Sequence, residues 1–228
     1  MHYRGRRLTR QILEIVTAAL LSLGGAATTF CSYQATLWSG RQLSSYGRAD
    51  EARTASAQAA TRAGQQTLID VTSFVAWLQA RMSGKADLEA AVRDRLRAEF
   101  KPSFEEWLSD DPFNRRGAPP TPFALPSYRI ELQSQSEDLS HKSDRYFADG
   151  LYANAQADHY VLSTVIFAMA LFFAGVGHQF RRVGVQVALL LIAAALIGRG
   201  IYSMTRLPHL TPHEAEHPPA GPPVSIQP

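Results

Sequence analysis

The sequence has a single cysteine, Cys31, so no intrachain disulfide can form and every segment must be held by packing. Cys31 does not fit a lipid anchor. A lipoprotein signal wants a small residue directly before the cysteine and an apolar one three before it, whereas here Thr28, Thr29 and Phe30 precede it. It reads instead as a small apolar residue inside a helix. Catalytic signatures are equally scarce: there is no Gly-rich phosphate loop, no HExxH pair, no nucleophile elbow and no metal-spaced Cys/His cluster. The sequence therefore nominates no catalytic residue, no cofactor and no metal, and the reading is of a protein that is not an enzyme. The formal net charge of +3 is small, and basic residues are interleaved with acidic ones, which argues against nucleic acid as a partner.

What is present is apolar sequence in blocks. A mean hydropathy of -0.14 conceals three apolar windows diluted by a polar middle and a Pro-rich end. The first spans residues 12–38 and follows a basic head at 1–11 containing Arg4, Arg6, Arg7 and Arg10. A cleavable signal peptide, cut near Gly25 to Ala27, is the alternative. Glu14 and the length of the run through Trp38 favour an anchor. The second window is 160–180, without a formal charge, and the third is 183–204, whose Arg199 lies near enough to its end to snorkel. At about 1.5 Å per residue each crosses a hydrocarbon core of about 30 Å.

Only a turn at 181–182, Arg181 and Arg182, separates the last two windows, so they form a tight antiparallel pair. Short basic flanks stay in the cytoplasm, which places Arg4, Arg6, Arg7, Arg10, Arg181 and Arg182 there as determinants of topology. The expected localisation is the plasma (inner) membrane of a bacterium, multi-pass. Residues 39–159 and the C-terminal tail, 205–228, then lie outside the cytoplasm, with Trp38, Tyr160 and Tyr202 at the outer interface.

The expected fold class is an all-α membrane protein, with three transmembrane helices and a helical-hairpin extracytoplasmic domain between the first and second. No proline occurs from Gly40 to Met82, and Thr54, Ala57, Thr61, Gly64, Leu68, Val71, Val75, Leu78 and Met82 alternate three and four apart. That is a coiled-coil seam. A second seam, at Leu132, Ser136, Leu139, Ser143, Tyr146, Gly150, Ala153 and Ala157, runs into the second span. The two seams are expected to pair antiparallel, so that a charge at Val75 would unfold the pair. Two short helices are expected at the tip between Lys85 and Leu108, around Pro102. The Pro-rich loop 111–127 excludes regular helix, and its Phe113, Phe123 and Leu125, with Tyr128, pack it back on the helices. The tail has seven prolines in its last 21 residues and is expected to be disordered.

Few residues carry more than architecture. His209, His213 and His217 recur every fourth residue, but Pro208, Pro212 and Pro218 argue against the helix that would stack them as metal ligands. Asp158, His159 and Tyr160 meet at the outer mouth of the second span, as a polar interfacial site or as a simple collar. Glu14 and Arg199 fall toward opposite faces of the bilayer and are not partners. Small residues at Ser22, Ala26, Ala170, Ala174, Ala194 and Gly198 suit close helix approach, within one chain or by self-association.

Four stretches, YQATLWSGRQ at 33–42, FKPSFEEWLSDDPF at 100–113, PPTPFALPSYRI at 119–130 and ADHYVLSTVIFAMALFFAGVG at 157–177, resemble a family of uncharacterised bacterial membrane proteins with one N-terminal span and a C-terminal pair. The resemblance implies the architecture and lends no site residues. Taken together, these features give an integral membrane protein whose partners are the lipid bilayer and either an unknown protein or a second copy. The leading role is interaction or sensing, and the alternative is a small subunit of a channel or transport assembly.

Overall fold

The structure, a computed structural model, describes residues 2–180 and 182–216, with side chains at 10–180 and 182–215. Arg4, Arg6, Arg7, Arg181 and His217 lie outside the described side chains, as does the tail beyond 216. Every regular element among the described residues is helical: α1 (His2–Met82), α2 (Ala86–Asp94), α3 (Lys101–Ser109), a 3-10 turn at Pro122–Ala124, α4 (Glu131–Gln179), α5 (Val183–Arg206) and α6 (Pro212–Glu216). Three of them, α1, α4 and α5, are long and apolar enough to cross a membrane. Two compact units divide the chain, one of residues 1–48 and 145–228, the other of 49–144. Both α1 and α4 contribute to each.

In the first unit the spans meet through small residues. Ala27, Cys31 and Ala35 of α1 share a core with Ala153, Ala157, Phe167 and Ala170 of α4 and Ile197 of α5. At Gly200 a Cβ would stand 2.6 Å from the Phe167 ring, and at Gly150 one would stand 2.4 Å from Tyr46, so glycine is what lets those rings approach. Of the small residues singled out in the sequence, Ala170 and Ala174 are buried while Ser22, Ala26, Ala194 and Gly198 face outward. Buried Thr17 and Ser163 donate to their own helices, at Leu13 O (2.8 Å) and His159 O (3.0 Å), so neither hydroxyl asks for a partner across the packing.

In the second unit α1 and α4 run antiparallel. Ser56 and Ser136 each donate a hydroxyl to the other's carbonyl, at 2.8 and 3.0 Å, and Ser143 donates to Ala49 O at 2.8 Å. The α4 seam is the one read from the sequence: Ser136, Ser143, Gly150, Ala153 and Ala157 are all buried. The α1 seam is not. Ala49, Ala52, Ala59, Ala63, Asp70, Phe74 and Trp77 face inward, while Leu68, Val71 and Val75 are 66%, 37% and 44% exposed. The expected pairing through Leu68 and Val75 is thus corrected by nearly half a turn, because alanines and serines permit the approach that α4's own serines and alanines require. A charge at Val75 would meet solvent and leave the pair folded.

At the far end of this unit α2 and α3 are the two short helices expected between Lys85 and Leu108. Pro102 sits in the first turn of α3, where its missing N–H costs nothing, rather than breaking a helix. Trp77, Phe100 and Phe104 are fully buried there, with Phe74, Leu96 and Trp107. The Pro-rich loop closes this core as expected: Phe123 stacks on Phe100 at 5.2 Å, and Pro119 O accepts from Trp107 Nε1 at 2.8 Å. Phe113 also packs back, edge-on to the Trp107 ring at 5.8 Å and beneath the Arg81 guanidinium 4.9 Å away, though it stays half exposed.

Candidate functional site

The richest polar cluster of the first unit forms where α1 and α4 meet the segment following α5. That segment was expected to be disordered from 205; the structure corrects this through residue 216. Its anchor is Gln34, only 4% exposed, which clamps one residue from both sides. Gln34 Nε2 donates to Leu210 O at 3.1 Å, and Leu210 N donates to Gln34 Oε1 at 2.9 Å. Trp38 Nε1 donates to Pro208 O at 3.2 Å, while the Tyr160 hydroxyl lies 3.2 Å from that carbonyl and 2.8 Å from His209 Nδ1. Leu210 is buried against the spans, and Phe30 meets the His209 ring edge-on at 5.6 Å.

The strap ends in a capping box. Thr211 Oγ1 and N both reach Glu214 Oε2, at 2.7 and 3.0 Å, and Glu214 N returns to Thr211 Oγ1 at 3.4 Å, starting α6 with Pro212 in its first turn. These bonds hold Glu214's carboxyl below its ordinary range.

Beside the strap, Asp149 accepts from Arg41 Nη2 at 2.6 Å and from Ser45 Oγ at 2.6 Å, with both charged side chains 11% exposed. The Arg41 guanidinium also stands 5.6 Å over the Trp38 ring that holds Pro208. The Trp38 ring that donates to Pro208 is thus itself covered by the Arg41 guanidinium.

Of the triplet Asp158, His159 and Tyr160, only Tyr160 enters this cluster. Successive residues of a helix diverge by about 100°, so Asp158 and His159 face outward, Asp158 accepting from Asn154 at 3.4 Å. His209 and His213 are likewise separated in role: His209 bonds to Tyr160 and His213 lies in α6. Among the described residues no three His, Cys, Asp or Glu side chains gather as metal ligands. Glu14 lies 4.0 Å from Arg10 and not near Arg199, whose side chain is exposed on α5.

The second unit carries its own buried charge. Asp70, 1% exposed, accepts from Arg97 Nε at 3.1 Å and Nη2 at 2.7 Å, and from the Tyr128 hydroxyl at 3.2 Å. Arg97 also pairs with Glu99 at the surface. The hydrogen bonds to Asp70 raise the Arg97 guanidinium further above its usual value, and burial pushes the Tyr128 phenol up. Close by, Ala63, Gly64 and Thr67 of α1 and Arg129 and Gln133 line an open groove of about 510 Å³. Nothing in the apolar periodicity pointed to Asp70 or Arg97, because both are polar residues at core positions.

Removal of the clamp gives a local prediction. Gln34→Leu keeps the buried volume but leaves the Leu210 amide and carbonyl unpaired, at about 1–3 kcal/mol. Amide exchange at Leu210 should accelerate about tenfold or more while exchange within α1 is unchanged. Comparison with known proteins found no matching family model, curated protein or solved structure.

Proposed function

We propose that this chain is a non-enzymatic integral membrane protein of the plasma (inner) membrane, whose helical hairpin at 39–159 stands outside the cytoplasm as an interaction or sensing module. The observation that carries the reading is helix continuity: α1 and α4 each run unbroken from an apolar, membrane-length stretch into the helical unit that ends in the aromatic core. The basic flanks, Arg10 and Arg182 among them, favour retention in the cytoplasm and set the orientation.

The test is thiol accessibility in intact cells on a Cys31→Ser background. Ser83→Cys, in the bend after α1, should react with an impermeant maleimide, and Gly184→Cys, at the start of α5, should react only after the cells are opened. The reverse pattern would invert the protein and abandon an external module.

A further inference from the structure

The heptad stripe of α1 that the structure turns outward still asks for a partner. Leu68, Val71, Val75 and Met82 are 66%, 37%, 44% and 80% exposed, and they continue the three-and-four alternation that begins at Thr54. A soluble helix normally covers its outer face with charge. From Thr54 to Ala80, however, the only charged residues are Arg62, one position off the stripe, and Asp70, which points inward to Arg97. So α1 is apolar on two nearly opposite faces in this unit, and its own chain covers only one.

Three features identify the missing occupant. The outward alternation is unbroken over three heptads, from Thr54 to Val75, and after Leu78, which packs inward against the aromatic core, it resumes at Met82; that length specifies a second helix rather than a general apolar contact. Copies inserted in one bilayer share one orientation, so two α1 helices meet in parallel, each seam residue facing its own counterpart: Thr61 to Thr61, Leu68 to Leu68, Val75 to Val75. The flanking positions are Gln58, Gln65, Thr72 and Gln79 on one side and Ala60, Thr67, the inward-turned Phe74 and Arg81 on the other. Arg81 is the only charge among them and is met by Glu89 of its own chain, so self-pairing sets no uncompensated like charges together and the flanks offer little charge with which to select a different partner.

We propose that the protein self-associates as a parallel pair through the outward seam of α1 between Thr54 and Met82. This rests on the reading of residues 39–159 as an interaction module and names its partner as a second copy of the chain. The small residues Ala57, Thr61 and Gly64 allow the helices to close tightly at the lower part of the seam, and Leu68, Val75 and Met82 supply its apolar contact.

The experiment is oxidative cross-linking of the full-length Cys31→Ser protein in its own membranes, with single cysteines at 68, 69, 75 and 76. In a parallel coiled coil the seam positions approach within disulfide range while their neighbours, about 100° around the helix, do not. Leu68→Cys and Val75→Cys should form dimers, and Ile69→Cys and Ala76→Cys should not. Adding Leu68→Glu and Val75→Glu to a Met82→Cys reporter should lower its dimer yield about tenfold or more, with helicity unchanged, because the new charges face solvent in the single chain and an apolar seam in the pair. Equal cross-linking at all four positions would mark chance collision and overturn the proposal. Seam cysteines that bridge only to another protein would overturn self-association and leave the interaction module standing. Free labelling at all four with no cross-link to any protein would remove both.

Discussion

Arg97→Met is expected to destabilise the helical unit of residues 49–144 by about 3–5 kcal/mol, the range for stranding one partner of a buried ion pair. The loss comes from what remains. Asp70 is 1% exposed, and without Arg97 its carboxylate keeps only the Tyr128 hydroxyl. The pair itself need not be strongly stabilising, since desolvation of two charges offsets much of their attraction. Hence Asp70→Leu combined with Arg97→Met should recover most of the stability lost in the single variant. Urea unfolding of the full-length protein, followed by the near-ultraviolet dichroism of Trp77 and Trp107, measures both. Equal losses in the single and double variants would mean that Arg97 contributes packing rather than charge compensation.

Trp77→Ala should cost a similar amount, about 3–5 kcal/mol, for a different reason. Trp77 is 0% exposed and its ring lies 4.8 Å from Phe104, 6.0 Å from Trp107 and 6.1 Å from Phe74. Its loss leaves a cavity among residues from α1 and α3 that cannot all collapse inward together. Trp77→Phe should be far milder, because the indole N–H it removes has no partner in this core. Leu68→Ala, on the outward face of the same helix, should alter unfolding by less than about 0.5 kcal/mol. Were Leu68→Ala the more damaging of the two in unfolding of the single chain, the inward register of α1 would be wrong.

That register shows what hydrophobic patterning can and cannot deliver. The α4 seam was legible because small residues alternated there with little competition: Ser136, Ser143, Gly150 and Ala153 recur without a more apolar stripe beside them. On α1 two stripes compete. The buried positions include Gln34, Trp38, Arg41, Ser45, Ala49, Ala52, Ala59, Ala63 and Asp70, with Ser56 partly buried between them, a regular repeat whose members are mostly alanine or polar. Ranking by apolar character selects Leu68, Val71 and Val75 instead, yet close helix approach depends on side-chain size and on satisfied hydrogen bonds. Counting serines and alanines on both helices, rather than leucines and valines on one, would have found the pairing.

The strap escaped for a related reason. Seven prolines suggested disorder, but five of them, Pro218, Pro219, Pro222, Pro223 and Pro228, lie beyond the described residues, and the nearer segment carries its own start signal. Thr211, Pro212 and Glu214 spell a capping box, and Leu210 directly before it is the buried apolar anchor, with Leu207 and Ala215 packed more loosely on the same core. Burial of one leucine would be weak support alone. Gln34, Trp38 and Tyr160 fasten the backbone on either side of it. By contrast, the membrane-length helices, the tip helices and the aromatic closure by Phe123 were readable from period and composition.

The clamp between Gln34 and Leu210 also orders events in time. Its two halves are 176 residues apart, so at ordinary rates of translation Gln34 is made on the order of ten seconds before the backbone that satisfies it. During that interval the Gln34 amide lacks the backbone partner that the finished fold gives it. A chain released early, short of residue 210, never escapes that state. The two bonds are therefore open only to chains that extend through Leu210, and only in those chains is the Gln34 amide satisfied.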